Sequence, residues 1–153
     1  MAKLQCFVFL GVLAVFSVAS AAISEEDKNA IKAEMLPVLA ECGKEHGVTE
    51  KDVKEAKESN NVDAINPCFI ACFMKKRKII DDEGKYAPEV AKSEHAKYIH
   101  DAELVAKLDE ISDNCASVND QAVSDGAKGC ERAKLLTACL TEHKDILTEI
   151  FKD

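Results

Sequence analysis

The chain has 153 residues, a formal net charge of −8 and no tryptophan. That length suits a single domain. The acidic balance argues against nucleic acid and anionic membrane surfaces as main partners, and two tyrosines make no aromatic platform for stacked bases.

The N-terminus reads as a secretory leader. Lys3 supplies its positive end, Leu4 to Val18 is an apolar run broken only by Gln5 and Ser17, and Ala19-Ser20-Ala21 offers a small-x-small cleavage site. Cleavage after Ala21 makes residues 1–21 a signal peptide and residues 22–153 the mature, secreted, extracellular domain. No later stretch is long and apolar enough to span a bilayer, so no stable membrane insertion is expected. Cys6 leaves with the leader. Cys42, Cys68, Cys72, Cys115, Cys130 and Cys139 remain, and an even count in a short secreted chain implies disulfides.

The first helix opens at Ser24-Glu25-Glu26-Asp27, where Ser24 can cap it and the acids suit its positive end. Ile31, Met35, Val38 and Cys42 fall on one face, with Leu39 beside them. Pro37 predicts a kink or two half-helices, and Gly43 or Gly47 ends the element. A short polar helix follows from Thr49 to about Ser59, with Val53 and Ala56 inward.

The stretch Asn66-Pro67-Cys68-Phe69-Ile70-Ala71-Cys72-Phe73-Met74 starts the third helix. Asn66 is its N-cap and Pro67 its first position. Cys68 and Cys72 then share a face, and a regular helical turn does not easily give them a disulfide torsion with each other. Each should bond another segment. Six cysteines allow 15 connectivities, and barring a Cys68–Cys72 bond leaves most of them open. Lys75-Lys76-Arg77-Lys78 crowds the end of this helix, near Lys78. It reads as a helix terminus complementing the dipole, or as an anion or partner site. An acidic turn follows at Asp81-Asp82-Glu83-Gly84-Lys85. It lacks the alternating ligands and distal Glu of a calcium loop.

Pro88 starts a fourth helix over residues 88 to 97, the most weakly patterned. The fifth spans about Asp101 to Cys115, with Leu104, Leu108, Ile111 and Cys115 as an inward stripe. Val118 to Gly129 reads as a loop. The sixth helix spans about Gly129 to His143. Cys130 and Cys139 face opposite sides of it, and Ala133, Leu136 and Leu140 form its inward row. Ile146, Leu147, Ile150 and Phe151 make the tail too apolar for a free end. The expectation is all-α: a single compact domain of about six helices held by three disulfides around an apolar core or pocket.

The cysteine spacing Cys42-x25-Cys68-x3-Cys72-x42-Cys115-x14-Cys130-x8-Cys139 resembles that of insect odorant-binding proteins of the six-cysteine type. The x3 and x8 intervals carry the resemblance, which covers the whole chain. It implies disulfides Cys42–Cys72, Cys68–Cys130 and Cys115–Cys139. The three bonds then interlock around a buried apolar pocket that carries small hydrophobic molecules, such as odorants, pheromones or other apolar lipids. By position, the resemblance assigns Ile70, Met74, Ile79, Leu136 and Leu140 to the pocket wall. Leu108 and Ile111 follow from estimated helix phase, Met35 and Leu39 from periodicity, and Phe151 as a lid. Plain core packing asks for the same stripes. Relatives anchor a ligand oxygen two residues after the third cysteine, where this chain has Met74. Apolar ligands are therefore favoured, with Tyr98 and Thr137 as spare hydroxyls. A membrane receptor or a homodimer stands open as a further partner.

No Gly-x-Ser-x-Gly elbow and no His-Glu-x-x-His zinc motif occur, and disulfides leave no thiol nucleophile. No enzyme, cofactor or metal is expected. His46, His95, His100 and His143 are dispersed and read as surface residues. His143, just before the tail, could couple pH to tail docking. The rival to a carrier is a stapled secreted interaction or defence protein with a filled core.

Overall fold

Among the described residues, five of the six α-helices begin where a side chain takes up free N–H groups of the first turn, and the other opens on Pro88, which has no N–H to satisfy. The structure, a computed structural model, describes residues 23–59 and 61–146. Helix α1 spans Glu25–His46, with the Ser24 hydroxyl accepting from the Asp27 N–H at 3.1 Å and Gly47 closing it at φ 66°. Helix α2, Glu50–Glu58, starts on a reciprocal Thr49–Asp52 capping box. Helix α3 spans Pro67–Lys76, where Asn66 accepts from the Cys68 N–H at 2.9 Å. Helices α4, Pro88–Tyr98, and α5, Ala102–Cys115, follow, the second capped by Asp101. Helix α6 spans Cys130–Glu142, and Asp125 accepts from its first two N–H groups at 2.7 and 3.1 Å.

Three local expectations differ from the structure. Pro37 does not divide α1, which runs unbroken from Glu25 to His46. Proline removes one N–H and crowds one carbonyl, and the helix is tied on either side of that point, by Glu34 to Arg77 before it and by the Cys42–Cys72 bond after it. Helix α3 stops at Lys76, because Lys78 takes φ 60° and turns the chain back. The segment read as a loop after Cys115 carries 3-10 turns at Ala116–Asp120 and Gly126–Lys128.

After α3 a tight antiparallel bridge pairs Ile80 with Tyr86. Gly84 at its tip has φ 81°, and a Cβ there would lie 2.3 Å from the Gly126 carbonyl. Only glycine permits both that dihedral and that approach. The acidic turn thus packs directly on the Gly126–Lys128 turn.

Helix α3 packs against α6 and α1, while α4 pairs with α5. Two apolar clusters result. The larger contains Ala71, Met74, Ile80, Tyr86, Ala91, Ile111, Cys115, Val118, Ala133 and Leu136. The smaller contains Ile23, Ile99, Leu104 and Leu108. Each large side chain buried this way contributes about 1.5–3 kcal/mol. Disulfides bind the frame: Cys42–Cys72 joins α1 to α3, Cys68–Cys130 joins α3 to α6, and Cys115–Cys139 joins α5 to α6. This is the pairing implied by the resemblance. The fold is all-helical, one domain with three disulfides. No described helix is long and apolar enough to cross a membrane.

Candidate functional site

The stripes seen in sequence converge unevenly. Met74, Ile111 and Leu136 are buried in the larger cluster, and Ile70, Ile79 and Leu140 lie half-buried against it. These six residues come from α3, the segment just after it, α5 and α6. Leu108 is buried in the smaller cluster instead. Met35 is half-buried on α1 and belongs to neither cluster. Leu39 lines a separate outer cleft with Leu36, Val48, Val53 and Phe69, in the region of α1 and α2. Phe151 lies outside the described residues, as do Leu147 and Ile150. Of the apolar tail, Ile146 is described, and it packs against both clusters.

The polar groups that sequence offered as ligand anchors are already engaged. The Thr137 hydroxyl donates to the Ala133 carbonyl at 2.8 Å, one turn back on α6. The Tyr98 hydroxyl donates to Glu34 of α1. Glu34 also accepts from Lys97 at 2.8 Å and from Arg77 at 3.2 Å, so one carboxylate joins α1, α3 and α4. Its hydrogen bonds to Lys97, Tyr98 and Arg77, in that order of effect, hold its carboxyl down at about 2.

The basic run after Met74 is likewise used inside the chain. Lys75 donates to the Ala127 carbonyl at 2.6 Å, Lys76 pairs with Glu41 at 2.9 Å, Arg77 pairs with Glu34 and Glu94, and Lys78 pairs with Asp82. The run clasps neighbouring segments rather than presenting a free anion site.

The tail to which His143 is expected to couple lies, beyond Ile146, outside the described residues. Among the described residues the imidazole–carboxylate pairs are His95–Asp109 at 3.3 Å and His100–Asp27 at 3.6 Å. His143 instead ends α6, and its carbonyl accepts from the Ile146 N–H at 3.2 Å. Glu45, His46 and Cys72 place potential ligand atoms within 4.8 Å of one another. The Cys72 sulfur is bonded to Cys42 and offers no thiolate, so the trio is not a metal site.

One functional support had no sequence signal. Arg132, inside the inward face of α6, is buried and donates to the carbonyls of Val118 and Gln121, the latter at 3.0 Å. It pins the chain that leads from α5 to α6. An arginine among leucines reads as solvent-facing unless the adjoining loop is known to need a donor.

A family model described as the PBP/GOBP family matches residues 24–143. Among solved structures, the chain is similar to the odorant-binding protein dmelOBP28a of Drosophila melanogaster. The two share 28% identity at a TM-score of 0.56, over 74% of this chain and 90% of that one. No curated protein matches significantly. With six cysteines in three disulfides on an all-helical frame, the chain belongs to the PBP/GOBP family of insect odorant-binding proteins, non-enzymatic carriers of small hydrophobic molecules.

Proposed function

We propose that this protein is a secreted carrier that holds one class of small apolar molecule in an interior pocket and moves it through extracellular fluid. Residues 1–21 act as the leader, and family membership and three disulfides are consistent with secretion. The observation that carries the reading is the convergence of Ile70, Met74, Ile79, Ile111, Leu136 and Leu140 on one cluster, with three of the six only half-buried. A carrier needs such a wall: apolar, contributed by several elements, and not wholly consumed by packing. Met35 of α1 and Leu108 of the smaller cluster complete the proposed lining, and Phe151, proposed as a lid, lies outside the described residues.

The ligand is largely apolar. Met74 has no donor, and the hydroxyls of Tyr98 and Thr137 are spent on Glu34 and Ala133. Met35 and Met74 suit ligands of varied shape, because unbranched thioethers adapt to what they touch.

Displacement of a fluorescent apolar probe from delipidated, disulfide-bonded protein tests the reading. A panel of long-chain alcohols, esters, fatty acids and terpenoids is titrated at neutral and mildly acid pH. Saturable one-site binding with displacement by some members is the expected outcome. Absence of saturable binding would replace the carrier with a filled-core interaction protein.

A further inference from the structure

Among the described residues two polar side chains are buried, Ser112 and Arg132, at 2% and 4% exposure. Ser112 has a partner in the Tyr86 hydroxyl. Arg132 is satisfied at one nitrogen. Both of its hydrogen bonds, to the carbonyls of Val118 and Gln121, leave from Nη1. Its Nε is buried and has no hydrogen-bond partner. The chain's other arginine, Arg77, pairs with Glu34 and Glu94, whereas among the described residues no carboxylate pairs with Arg132.

This cation stands beside the proposed ligand wall. Arg132 lies one turn before Leu136 on α6, and side chains four apart share a helix face. Leu136, Ala133 and Val118, whose carbonyl Arg132 holds, all belong to the larger cluster, together with Met74 and Ile111.

A buried charge without a counter-ion is unfavourable, and an unpaired buried donor adds to that cost. Pinning the Val118 and Gln121 carbonyls uses Nη1 alone and gives no reason for a charged Nε–H without an acceptor. An acceptor that arrives with the ligand relieves both penalties. A guanidinium donates in a plane that suits carboxylate oxygens, and it offers no acceptor to a ligand's own N–H or O–H. Apolar ligand sites are commonly oriented by one such placed group.

We infer that Arg132 is the polar anchor of the interior site, its Nε–H donating to the carboxylate or carbonyl oxygen of an otherwise apolar ligand. The ligand class narrows from apolar molecules in general to aliphatic acids and their esters, with the acids favoured because their bond is assisted by charge on both sides. The inference rests on the carrier reading above.

Displacement of the fluorescent apolar probe by decanoate, methyl decanoate and decane at neutral pH tests it, with wild type beside Arg132→Met. Loss of the donor should weaken decanoate relative to decane by at least about tenfold, and methyl decanoate in the same direction by a smaller factor. Taking the ratio within each protein removes any general loss of affinity or stability, because a merely structural arginine weakens all three compounds alike. A second readout needs no variant. The Arg132 Nε–H resonance of the wild type should shift as decanoate saturates and stay near its ligand-free position with decane. An unchanged ratio in Arg132→Met, or an Nε–H resonance indifferent to decanoate, would overturn the inference and leave the carrier reading in place. Failure of all three compounds to displace the probe from the wild type would remove both.

Discussion

Glu34 and Arg77 are 43 residues apart in sequence and meet at 3.2 Å. The same carboxylate receives Lys97 and Tyr98, so the relative placement of α1, α3 and α4 passes through one side chain. Its folded-state value of about 2 lies below the ordinary 4.5. A depressed carboxyl stabilises the fold fully above the ordinary value, and that contribution is lost as pH falls toward the folded one. The clasp is therefore intact in mildly acid fluid. Glu34→Gln should lower the thermal midpoint at pH 7 and flatten the loss of stability between pH 4.5 and 2. Identical pH profiles for variant and wild type over that window would contradict the assignment.

The two turns that meet at Gly84 predict a contrast. Gly84→Ala forces a Cβ to within 2.3 Å of the Gly126 carbonyl, on top of a φ of 81°. Gly126→Ala meets nothing within 4 Å and has the dihedral problem alone, at φ 54°. Strain of this kind costs about 1–3 kcal/mol. Urea denaturation should place Gly84→Ala well below Gly126→Ala.

The disulfides should rank by the chain they close. Cys68–Cys130 spans 62 residues and Cys115–Cys139 spans 24. Chain entropy then assigns about 4 kcal/mol to the first and somewhat less to the second. Replacing Cys68 and Cys130 by alanine together should lower the denaturation midpoint more than replacing Cys115 and Cys139. Both double variants leave no unpaired thiol behind.

Arg132→Ala should destabilise although it removes a charged residue. Its loss removes a charge-assisted hydrogen bond from the Val118 carbonyl, which keeps the Gln121 N–H, and another from the Gln121 carbonyl, at about 1.5–3 kcal/mol each. Hydrogen exchange should then rise first in residues 116–121, which Arg132 holds through the Val118 and Gln121 carbonyls, while Ser124 and Asp125 keep their own hydrogen bonds to α6.

Much of this architecture was legible because it rests on short-range chemistry. Asn66-Pro67, Thr49 and Asp101 mark helix starts by residue type alone, and the structure uses each as a cap. Leu104, Leu108, Ile111 and Cys115 repeat at helical spacing and are all buried. What sequence could not reveal depends on long-range partners. Glu34 is one acid among many in α1 until Arg77, Lys97 and Tyr98 arrive from elsewhere. Helix α4 was faint because it buries small or amphipathic residues, Ala91 and Tyr98, rather than a leucine stripe. Pro37 does not break α1 into two half-helices, because a proline's local cost is decided by the packing around it. Met35, Leu39 and Leu108 share the amphipathic pattern of the wall residues, and pattern alone did not separate the larger cluster, the smaller one and the outer cleft.

The most direct test of an interior ligand site is a methyl NMR titration of delipidated, disulfide-bonded protein with a panel compound that displaces the apolar probe. Saturable shifts should concentrate on the methyls of Ile70, Met74, Ile79, Ile111, Leu136 and Leu140, with Met35 following and Leu36 unmoved. Shifts confined to Leu36, Leu39, Val48 and Val53, or none that saturate, would contradict the interior carrier.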